Sequence, residues 1–520
     1  MTVFKPGGPP RFEHQRKGLR DIIANRGVHA LLFDPGTGKT ATTLDYCSLL
    51  AIKSFTAEAR VLVIAPLAAV DTWVEQAETY VADGIRVHAE AVGGSIKQRA
   101  ETLIARGKGD YHTNARRAYA LVDRKGIHDT CQLTLLALNL DTFNSRASVS
   151  PGSSRTMADL MVDAVKRFAP DLIVVDESHR IKGPTSNTSR AIARLTPICR
   201  RRMILTGTVM PHSPLDVFAQ WRFLEPTAFG QMLPSGERRP ATYGYFRGRF
   251  AVMGGWMGKE VKGFVNLDQM QDIMARNATV VRKTDALDLP PVTDSVVTVD
   301  LSAAERKAYD EMKKNLAVAL TSGALASVPN RLAQMMRLRQ ITSGYLPDDN
   351  GVLNVIGESK ARVIRSLVHD TLTGEDRIVV FAHFRHEIDL LARLLAPRQG
   401  ERPTEVVTIT GDTDARERAA IRRRFGSSEQ TRIVLVAQTK TMSLAVNELV
   451  TASHAVFASL PNQRDDIEQA RARLDRQGQR SKVTFWTALA PATVDEVIWQ
   501  SYHDRSDLET ALLRHISDAG

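Results

Sequence analysis

Short apolar runs alternate with longer segments of helical pattern along most of this 520-residue sequence. Each run is five or six residues long and rich in β-branched residues or leucine, as strands are. The runs fall into two sets of five, namely 29–33, 61–65, 133–138, 171–175 and 202–206, then 377–381, 405–409, 432–437, 454–458 and 483–487. Because strands that alternate with helices form parallel sheets, the pattern predicts two α/β domains.

The segment between the two sets differs in composition. Residues 226–355 contain a Gly-rich aromatic stretch, YGYFRGRFAVMGGWMGKEVKGF, and then a long helical pattern over 302–338. We therefore expect a mainly helical insertion there. The predicted segments are a first α/β domain, a helical protrusion and linker region, a second α/β domain and a C-terminal helix, at 1–225, 226–355, 356–500 and 501–520.

The sequence DPGTGKT follows the first apolar run and precedes a helical pattern. Glycines in such a turn let backbone N–H groups converge on phosphate oxygens at a helix N-terminus. Lys39 would neutralise the β- and γ-phosphates, and Thr40 would ligate Mg²⁺. The sequence therefore predicts an ATP site that is built from Pro35, Gly36, Thr37, Gly38, Lys39 and Thr40.

Two adjacent carboxylates end the apolar run in the segment DLIVVDESH. Asp176 is placed to hold Mg²⁺, and Glu177 is placed to orient and deprotonate the attacking water. A helix N-cap is the alternative interpretation of Asp and Ser at this point. The phosphate loop favours the catalytic interpretation, so the sequence predicts Mg²⁺-dependent ATP hydrolysis.

The segment QARARLDRQGQ carries Arg473 and Arg476, three residues apart, which predicts that both lie on one face of a helix. Arginines that reach the γ-phosphate from a second domain stabilise the charge of the transition state. A solvated basic helix is the alternative. We favour the catalytic interpretation because these arginines belong to the second α/β set, which would face a cleft if the two sets dock.

Charge and cysteine content narrow the class of function. The net charge of +11 favours a polyanionic partner, because each phosphate that is neutralised releases counterions. The three cysteines are odd in number and widely spaced, which argues against a disulfide framework or a zinc module. No stretch reaches the ~18 apolar residues of a membrane span. We therefore expect a soluble, unsecreted protein without zinc or a membrane partner.

Two further segments resemble the Snf-type branch of the superfamily 2 helicase-like ATPases. LTGTVMPHSPLDVFAQWRFLEPTAFG, at 205–230, is similar to motif III of that branch and the segment after it. VVRKTDALDLPPVTDSVVTVDLSAAERKAYDEM, at 280–312, is similar to another segment of the same branch. The resemblance implies two RecA-like domains with helical insertions, ATP and Mg²⁺ as cofactors, and ATP-driven movement along duplex DNA.

The resemblance also implies roles for single residues. His14 and Gln15 would contact adenine, although Arg11 stands where the family usually has an apolar residue. Coupling of the carboxylates to motif III would use His179, Thr206, Gly207 and Thr208. Nucleic-acid contacts through phosphates would come from Pro66, Lys182, His383, Arg385, Thr439 and Lys440.

Motif V departs from the family pattern. Thr441, Met442, Ser443 and Ala445 stand where the family has Ala, Gly, Gly and Gly. Glycine allows close approach of the backbone to phosphate, so we expect a changed grip of the second domain on DNA.

Two alternatives to a duplex translocase stay open. One is a helicase that separates the strands of DNA or RNA. The other is a nucleotide-dependent clamp or scaffold that binds DNA without translocating. Compact proteins of this kind resemble stand-alone forms in bacteria and their viruses, which predicts a cytoplasmic protein of a bacterium or of a virus in a bacterial host.

Overall fold

The computed structural model describes residues 5–107, 131–150, 152–211, 213–255, 260–286, 289–321, 328–348, 352–427, 431–442, 447–476 and 478–504. The chain divides into two compact units, Met1–Leu287 and Asp288–Gly520. The predicted C-terminal helix at 501–520 falls mostly outside the described residues. Within those residues, no helix is both long and apolar enough to cross a membrane.

The first unit contains a parallel sheet and a short antiparallel hairpin. Its strands are β1 (Val28–Phe33), β2 (Glu58–Ala65), β3 (Arg86–Ala91), β4 (Gln132–Asn139), β5 (Leu172–Asp176), β6 (Arg202–Leu205), β7 (Ala251–Gly254), β8 (Glu260–Phe264) and β9 (Ala278–Val281). The parallel sheet has the order β3-β4-β2-β5-β6-β1-β9, and β7 pairs with β8 in the hairpin.

Helices connect these strands and cover the sheet. They are α1 (Glu13–Ala24), α2 (Lys39–Lys53), α3 (Leu67–Tyr80), α4 (Ile96–Gly107), α5 (Met157–Phe168), α6 (Asn187–Ala193), α7 (Val217–Leu224), α8 (Tyr243–Phe250), α9 (Leu267–Ala275) and α10 (Lys283–Ala286). Leu62 and Ile64 of β2 pack into one apolar core, and Val61 and Val63 pack into a second. Because successive strand residues point to opposite faces, the sheet has a core on each side.

The second unit is built in the same way. Its strands are β10 (Val292–Thr298), β11 (Tyr345–Pro347), β12 (Leu353–Val355), β13 (Arg377–Ala382), β14 (Thr404–Ile409), β15 (Arg432–Gln438), β16 (His454–Phe457) and β17 (Val483–Leu489). Its helices are α11 (Ala303–Thr321), α12 (Val328–Thr342), α13 (Ser359–Ser366), α14 (Arg385–Leu395), α15 (Ala415–Phe425), α16 (Thr439–Met442), α17 (Arg464–Leu474) and α18 (Val494–Asp504). The parallel sheet has the order β10-β17-β16-β13-β15-β14.

The prediction of two parallel α/β domains is confirmed, and all ten predicted apolar runs are strands of the two sheets. The predicted segment 226–355 is divided between the units, since β9 joins the first sheet and β10 joins the second. In the two parallel sheets the strands that the sequence does not predict are β3, β9 and β10, and all three are edge strands. Edge strands are partly open to solvent, so they are short or alternate between apolar and polar residues. Their apolar signal in the sequence is therefore weaker.

Candidate functional site

The phosphate loop joins β1 to α2. Two glycines give the loop its shape, because Gly36 and Gly38 have φ angles of 84° and 94°, in the left-handed region that favours glycine. The helix then begins at Lys39. The N-terminus of α2 therefore opens directly onto the loop, which is the geometry that binds phosphate through backbone N–H groups.

The loop is closed by its own hydrogen bonds. The backbone N–H and the hydroxyl of Thr37 both donate to the carbonyl of Asp34, over 3.3 and 2.8 Å. The ammonium group of Lys39 donates to the carbonyl of Phe33 over 2.7 Å, so it folds back across the loop. An ammonium group has three N–H bonds, which leaves Lys39 the capacity to bind phosphate oxygens as well.

Helix α1 holds the loop from one side. The ring Nε2 atom of His14 lies 2.8 Å from the carbonyl oxygen of Thr37, and the side-chain amide of Gln15 donates to the same oxygen over 3.1 Å. The fit is close, since a Cβ atom added at Gly38 would lie 2.0 Å from Nε2 of Gln15. The two residues that the sequence assigned to adenine are thus fixed against the phosphate loop.

Two more segments reach the loop within the first unit. The backbone N–H of Lys283 donates to Oδ2 of Asp34 over 2.8 Å, directly after the edge strand β9. A Cβ atom added at Gly207 would lie 2.8 Å from Cδ of Pro35, so the LTGT segment packs against the loop without space for a side chain. Gly207 is among the residues predicted from the sequence, whereas the contact from Lys283 is not.

Asp176 is the last residue of β5, and its two carboxylate oxygens have different partners. The indole N–H of Trp73 donates to Oδ2 and the backbone N–H of Glu177 donates to Oδ1, both over 2.9 Å. Burial raises the pKa of Asp176, and the negative charge of Glu177 raises it further. The nearby positive charge of Lys39 acts in the opposite direction.

Glu177 has a left-handed backbone, with φ 48° and ψ 51°. Its Oε2 atom lies 3.3 Å from Nδ1 of His179. Burial opposes ionisation of Glu177, but the hydrogen bond from His179 and the charge of Lys39 outweigh it, so the pKa is lowered. An ionised Glu177 is a hydrogen-bond acceptor that can orient a water molecule. Its low pKa makes it a weak base, so its stronger contribution is to position that water.

His179 connects the carboxylates to motif III. Its Nδ1 atom also lies 3.1 Å from the hydroxyl oxygen of Thr206. That hydroxyl donates to the carbonyl of Thr208 over 3.2 Å and accepts from the backbone N–H of Thr208 over 3.0 Å. The structure therefore brings together His179, Thr206 and Thr208, three of the four residues that the resemblance groups for coupling, while the fourth, Gly207, packs against the phosphate loop.

A second connection between the same two motifs runs through Gln220 of α7. The hydroxyl of Ser178 donates to Oε1 of Gln220 over 2.7 Å. The amide of Gln220 donates to the carbonyls of Val209 and Asp216 over 2.7 and 3.0 Å. Gln220 is not among the residues predicted from the sequence, although a polar residue in the apolar helix VFAQWRFL indicates a buried polar contact.

Contrary to the sequence prediction, Arg473 and Arg476 do not both lie on a helix. Arg473 lies on α17, but the helix ends at Leu474, and Asp475 leaves the helical conformation with ψ 81°. The side-chain amide of Gln479 then donates to the carbonyl of Leu474 over 3.3 Å, which satisfies a group that a helix end leaves unpaired. The prediction that Arg473 and Arg476 share one helical face is therefore wrong, because Arg476 lies in the turn after the helix.

The predicted nucleic-acid residues occupy strand ends and turns. In the first unit, Pro66 follows β2 and Lys182 follows the turn Ser178–Ile181. In the second unit, the other four lie near the ends of β13 and β15 and are His383, Arg385, Thr439 and Lys440. The structure therefore places members of the set in each of the two units.

The four residues of the second unit differ in how their side chains are engaged. Burial lowers the pKa of His383 to about 3, with the charges of Arg339 and Lys440 acting in the same direction. Arg385 donates to Oδ1 of Asp412 over 2.8 Å. Thr439 is buried, and its hydroxyl donates within the unit to the carbonyl of residue 382 over 3.2 Å. His383 is therefore neutral near pH 7, so it can contact phosphate as a hydrogen-bonding group and not as a cation.

Motif V is only partly described. The hydroxyl of Thr441 donates to the carbonyl of Gln438 over 2.7 Å, and α16 ends at Met442. Ser443 and Ala445 lie outside the described residues. The expected change in the grip on DNA stays a prediction.

Comparison with protein families gives two matches. The SNF2-related domain matches residues 14–344, and the helicase conserved C-terminal domain matches residues 359–478. Together the two matches span most of the chain, including every residue that the sequence assigned to the ATP site and both arginines of the second unit.

Curated relatives are between 22% and 25% identical to this chain over the aligned residues. The DNA annealing helicase and endonuclease ZRANB3 of Homo sapiens is 25% identical over 348 residues, which are 66% of this chain and 30% of the relative. The DNA repair and recombination protein RAD54 of Oryza sativa subsp. japonica is 22% identical over 565 residues, covering 97% of this chain and 52% of the relative. The chain thus spans between about a third and a half of the length of these relatives.

A solved structure is also similar. It is the Sulfolobus solfataricus SWI2/SNF2 ATPase core in complex with dsDNA, with 18% sequence identity and a TM-score of 0.37. The similarity covers 97% of this chain and 93% of that one.

Proposed function

Because the chain belongs to the SNF2-related domain family, we propose that it is an ATP-dependent motor that moves along duplex DNA. The human and rice relatives are named for DNA annealing and for DNA repair and recombination. Those names support DNA as the partner. The resemblance to the Snf-type branch favours duplex DNA over single strands or RNA.

The placement of three residues carries the hydrolytic part of the proposal. Lys39 begins α2 after β1, Asp176 ends β5 of the same parallel sheet, and Glu177 follows it, and the positive charge of Lys39 favours the ionised form of both carboxyls. This is the combination that phosphoryl transfer requires: a cation for the phosphates, a carboxylate for a metal ion and a carboxylate for the attacking water. It supports hydrolysis of ATP in the first unit.

The residues of the site fit Mg²⁺. Thr40 and Asp176 offer oxygen ligands, which Mg²⁺ prefers. Burial raises the pKa of Asp176, and a bound cation would offset that cost of ionisation. Thr40 and Asp176 would hold the ion, which would supply positive charge close to the phosphates.

The protein groups divide the remaining tasks. His14 and Gln15 would bind the adenine ring, and the N-terminus of α2 would bind the phosphates through Gly36, Thr37, Gly38, Lys39 and Thr40. Glu177 would orient the attacking water. Arg473 and Arg476 would stabilise the γ-phosphoryl charge from the second unit, as the motif they resemble implies.

DNA contact would depend on the phosphate backbone. Lys182, Arg385 and Lys440 supply positive charge. Pro66, His383 and Thr439 also lie in segments that resemble the Snf-type branch. Contacts of this kind hold DNA without reading its sequence. His179 and the LTGT segment would transmit DNA binding to Glu177.

We also propose a location in the cytoplasm of a bacterium or of a bacterial host cell, as the resemblance to compact stand-alone proteins implies. The human and rice relatives are eukaryotic. The proposed domain assignment keeps nucleotide binding at 1–225 and the helicase C-terminal region at 356–500.

The test compares ATPase rates with duplex DNA, single-stranded DNA, forked DNA and RNA, together with displacement of the third strand from a DNA triplex. A duplex translocase is stimulated most by duplex DNA and displaces the third strand. Stimulation by RNA alone, or unwinding of a fork without triplex displacement, would favour a strand-separating helicase. DNA retention that depends on ATP but not on hydrolysis would favour a clamp. Lys39→Ala serves as the inactive control.

A further inference from the structure

Arg11 is buried at the entrance to α1, with only 6% of its surface exposed. Its Nε and Nη2 atoms donate to the two carboxylate oxygens of Asp45, both over 2.8 Å. Asp45 lies on α2 and is 1% exposed. The two side chains thus form a bidentate ion pair that solvent does not reach.

The guanidinium group also contacts three backbone carbonyls. Nη1 donates to the carbonyl of Pro9 over 2.6 Å, and Nη2 also donates to the carbonyls of Gly7 and Tyr80, over 3.0 and 3.4 Å. The guanidinium carbon also lies 5.0 Å from the centre of the Tyr80 ring. Arg11 therefore joins three elements: the chain that enters α1, the helix that follows the phosphate loop, and the end of α3.

The position of this pair relative to the ATP site is specific. Helix α1 carries His14 and Gln15, and these contact the carbonyl of Thr37 inside the loop. Helix α2 begins at Lys39 and carries Asp45 in its second turn. The start of α1 is therefore tied to the loop at Thr37 and to the helix beyond the loop at Asp45.

An apolar contact at this point would hold α1 less specifically. A buried ion pair contributes little net stability compared with well-packed apolar residues. A bidentate pair does fix both distance and orientation, which an apolar contact does not. Arg11 stands where the family that this chain resembles usually has an apolar residue. At this position the chain therefore has an ion pair of fixed geometry in place of an apolar packing contact.

We propose that Arg11 and Asp45 are a positioning pair for ATP binding, which holds His14 and Gln15 where they contact the adenine ring. The pair acts through those residues and does not touch the nucleotide. The inference rests on the proposed function, because it requires the phosphate loop to bind ATP.

The variants follow from the chemistry of the pair. Arg11→Met keeps the length of the side chain and removes its charge. Burial raises the pKa of Asp45, against the effect of Arg11, so that carboxyl becomes easier to protonate once Arg11 is lost. Asp45→Asn removes the charge from the other side, and Arg11→Lys keeps the charge but loses the bidentate geometry. Arg20 offers a matched control, since it pairs with Glu13 on the same helix with side chains 64% and 70% exposed.

The experiment uses the full chain. For each variant, steady-state kinetics give the KM for ATP, the kcat, and the ratio of kcat/KM for ATP to that for GTP. Competition with a fluorescent analogue gives the affinity for ATP, and thermal unfolding gives the melting temperature without nucleotide. Misplacement of a group by about 1 Å can lower the rate of a catalysed reaction by up to about 100-fold. We expect the KM for ATP of Arg11→Met to rise about 10-fold, with a smaller change in kcat. The preference for ATP over GTP should fall, Arg11→Lys should recover part of both effects, and Arg20→Met should match the wild type.

The inference would be overturned if both Arg11→Met and Asp45→Asn kept a KM for ATP and a preference for ATP within twofold of the wild type. A lower melting temperature in these variants would not rescue it, because the pair would then be structural only. If Arg11→Met does not fold, Arg11→Lys and Asp45→Asn decide the question by the same criteria. A wild-type chain that binds ATP without stimulation by DNA would count against the proposed motor and leave this comparison intact. A wild-type chain that binds no ATP would overturn both.

Discussion

The hydroxyl of Ser178 donates to the side-chain oxygen of Gln220 over 2.7 Å, and Gln220 in turn donates to the carbonyl of Val209 over 2.7 Å. Ser178 stands between Glu177, which we propose orients water, and His179. Gln220 therefore links the segment DESH to motif III by a route that does not use His179.

Removal of Gln220 should reduce the stimulation of ATP hydrolysis by DNA more than it reduces the rate of hydrolysis without DNA. Gln220→Leu leaves buried carbonyls without a donor, which costs about 1–3 kcal/mol of stability, and it disconnects Ser178 from Val209. We expect DNA-stimulated ATPase to fall several-fold while the rate without DNA changes little. Gln269→Leu, at an exposed position of α9, is the control for loss of an amide. Equal loss of both rates would indicate a purely structural contact.

Lys39→Ala and Glu177→Gln should both abolish turnover, but for different reasons. Lys39→Ala removes the cation of the phosphate loop, so ATP affinity should fall along with the rate. Glu177→Gln keeps the shape of the site and removes only the charge that orients water, so ATP affinity should remain near that of the wild type. ATPase assays and fluorescent nucleotide binding separate the two. Hydrolysis by Glu177→Gln at the wild-type rate would contradict the role given to that carboxylate.

Arg473→Ala and Arg476→Ala should lower kcat without unfolding either unit. An arginine that reaches the γ-phosphate contributes about 10³ to 10⁵ in rate. Because Arg473 lies on α17 and Arg476 lies in the turn after it, we expect one of the two variants to be much the more severe. ATPase rate and circular dichroism provide the measurement. Full activity in both variants would mean that the arginines form a solvated surface.

DNA affinity should fall steeply as salt rises and should be similar for unrelated duplex sequences. Each phosphate that the protein neutralises contributes about 0.9 to the slope of log K against log salt. Lys182→Ala and Lys440→Ala should each reduce the slope by about that amount. Fluorescence anisotropy across a salt series measures it. A sequence-selective footprint that persists at high salt would argue against backbone contacts.

The stability of the first unit should depend on the protonation of His29. This buried histidine of β1 lies 3.0 Å from Nδ2 of Asn25 and 2.8 Å from the hydroxyl oxygen of Thr279, which donates to Asp21 over 2.7 Å. Thr279 therefore accepts from one ring nitrogen and Asn25 donates to the other, as suits a neutral ring. Burial lowers the pKa of His29 to about 4, and the charge of Asp21 opposes the shift.

The sign of the pH effect follows from the lowered pKa. The unfolded chain protonates His29 below about pH 6.5 and the folded chain only near pH 4, so the unfolded state binds more protons in between. Stability from this residue is complete above pH 6.5 and is lost as the pH falls toward 4. Between pH 7.5 and pH 5 we expect the loss to be about 2 kcal/mol. Urea unfolding of wild type and His29→Gln at both pH values measures the difference, and the loss of stability between the two pH values should be about 2 kcal/mol smaller in the variant.

The sequence predicted the central strands well, because a strand that is buried on both faces must be apolar along its length. It missed β3, β9 and β10, since edge strands do not meet that requirement. It also gave the phosphate loop and the carboxylates, whose chemistry requires particular residues at fixed spacing. It missed Gln220 and the partner of Arg11, because both contacts join positions that are distant in sequence. Arg476 was misplaced because the end of α17 depends on a side chain, Gln479, that periodicity does not detect.

The contact between Lys283 and Asp34 has a consequence for biosynthesis. The two residues are 249 positions apart, and β9, which precedes Lys283, pairs in parallel with β1. A ribosome therefore completes the phosphate loop early but supplies its last support only when the chain has grown past β9. Until then the loop lacks the hydrogen bond from Lys283 and the pairing of β1 with β9, and depends on the contacts from α1 and on its own hydrogen bonds.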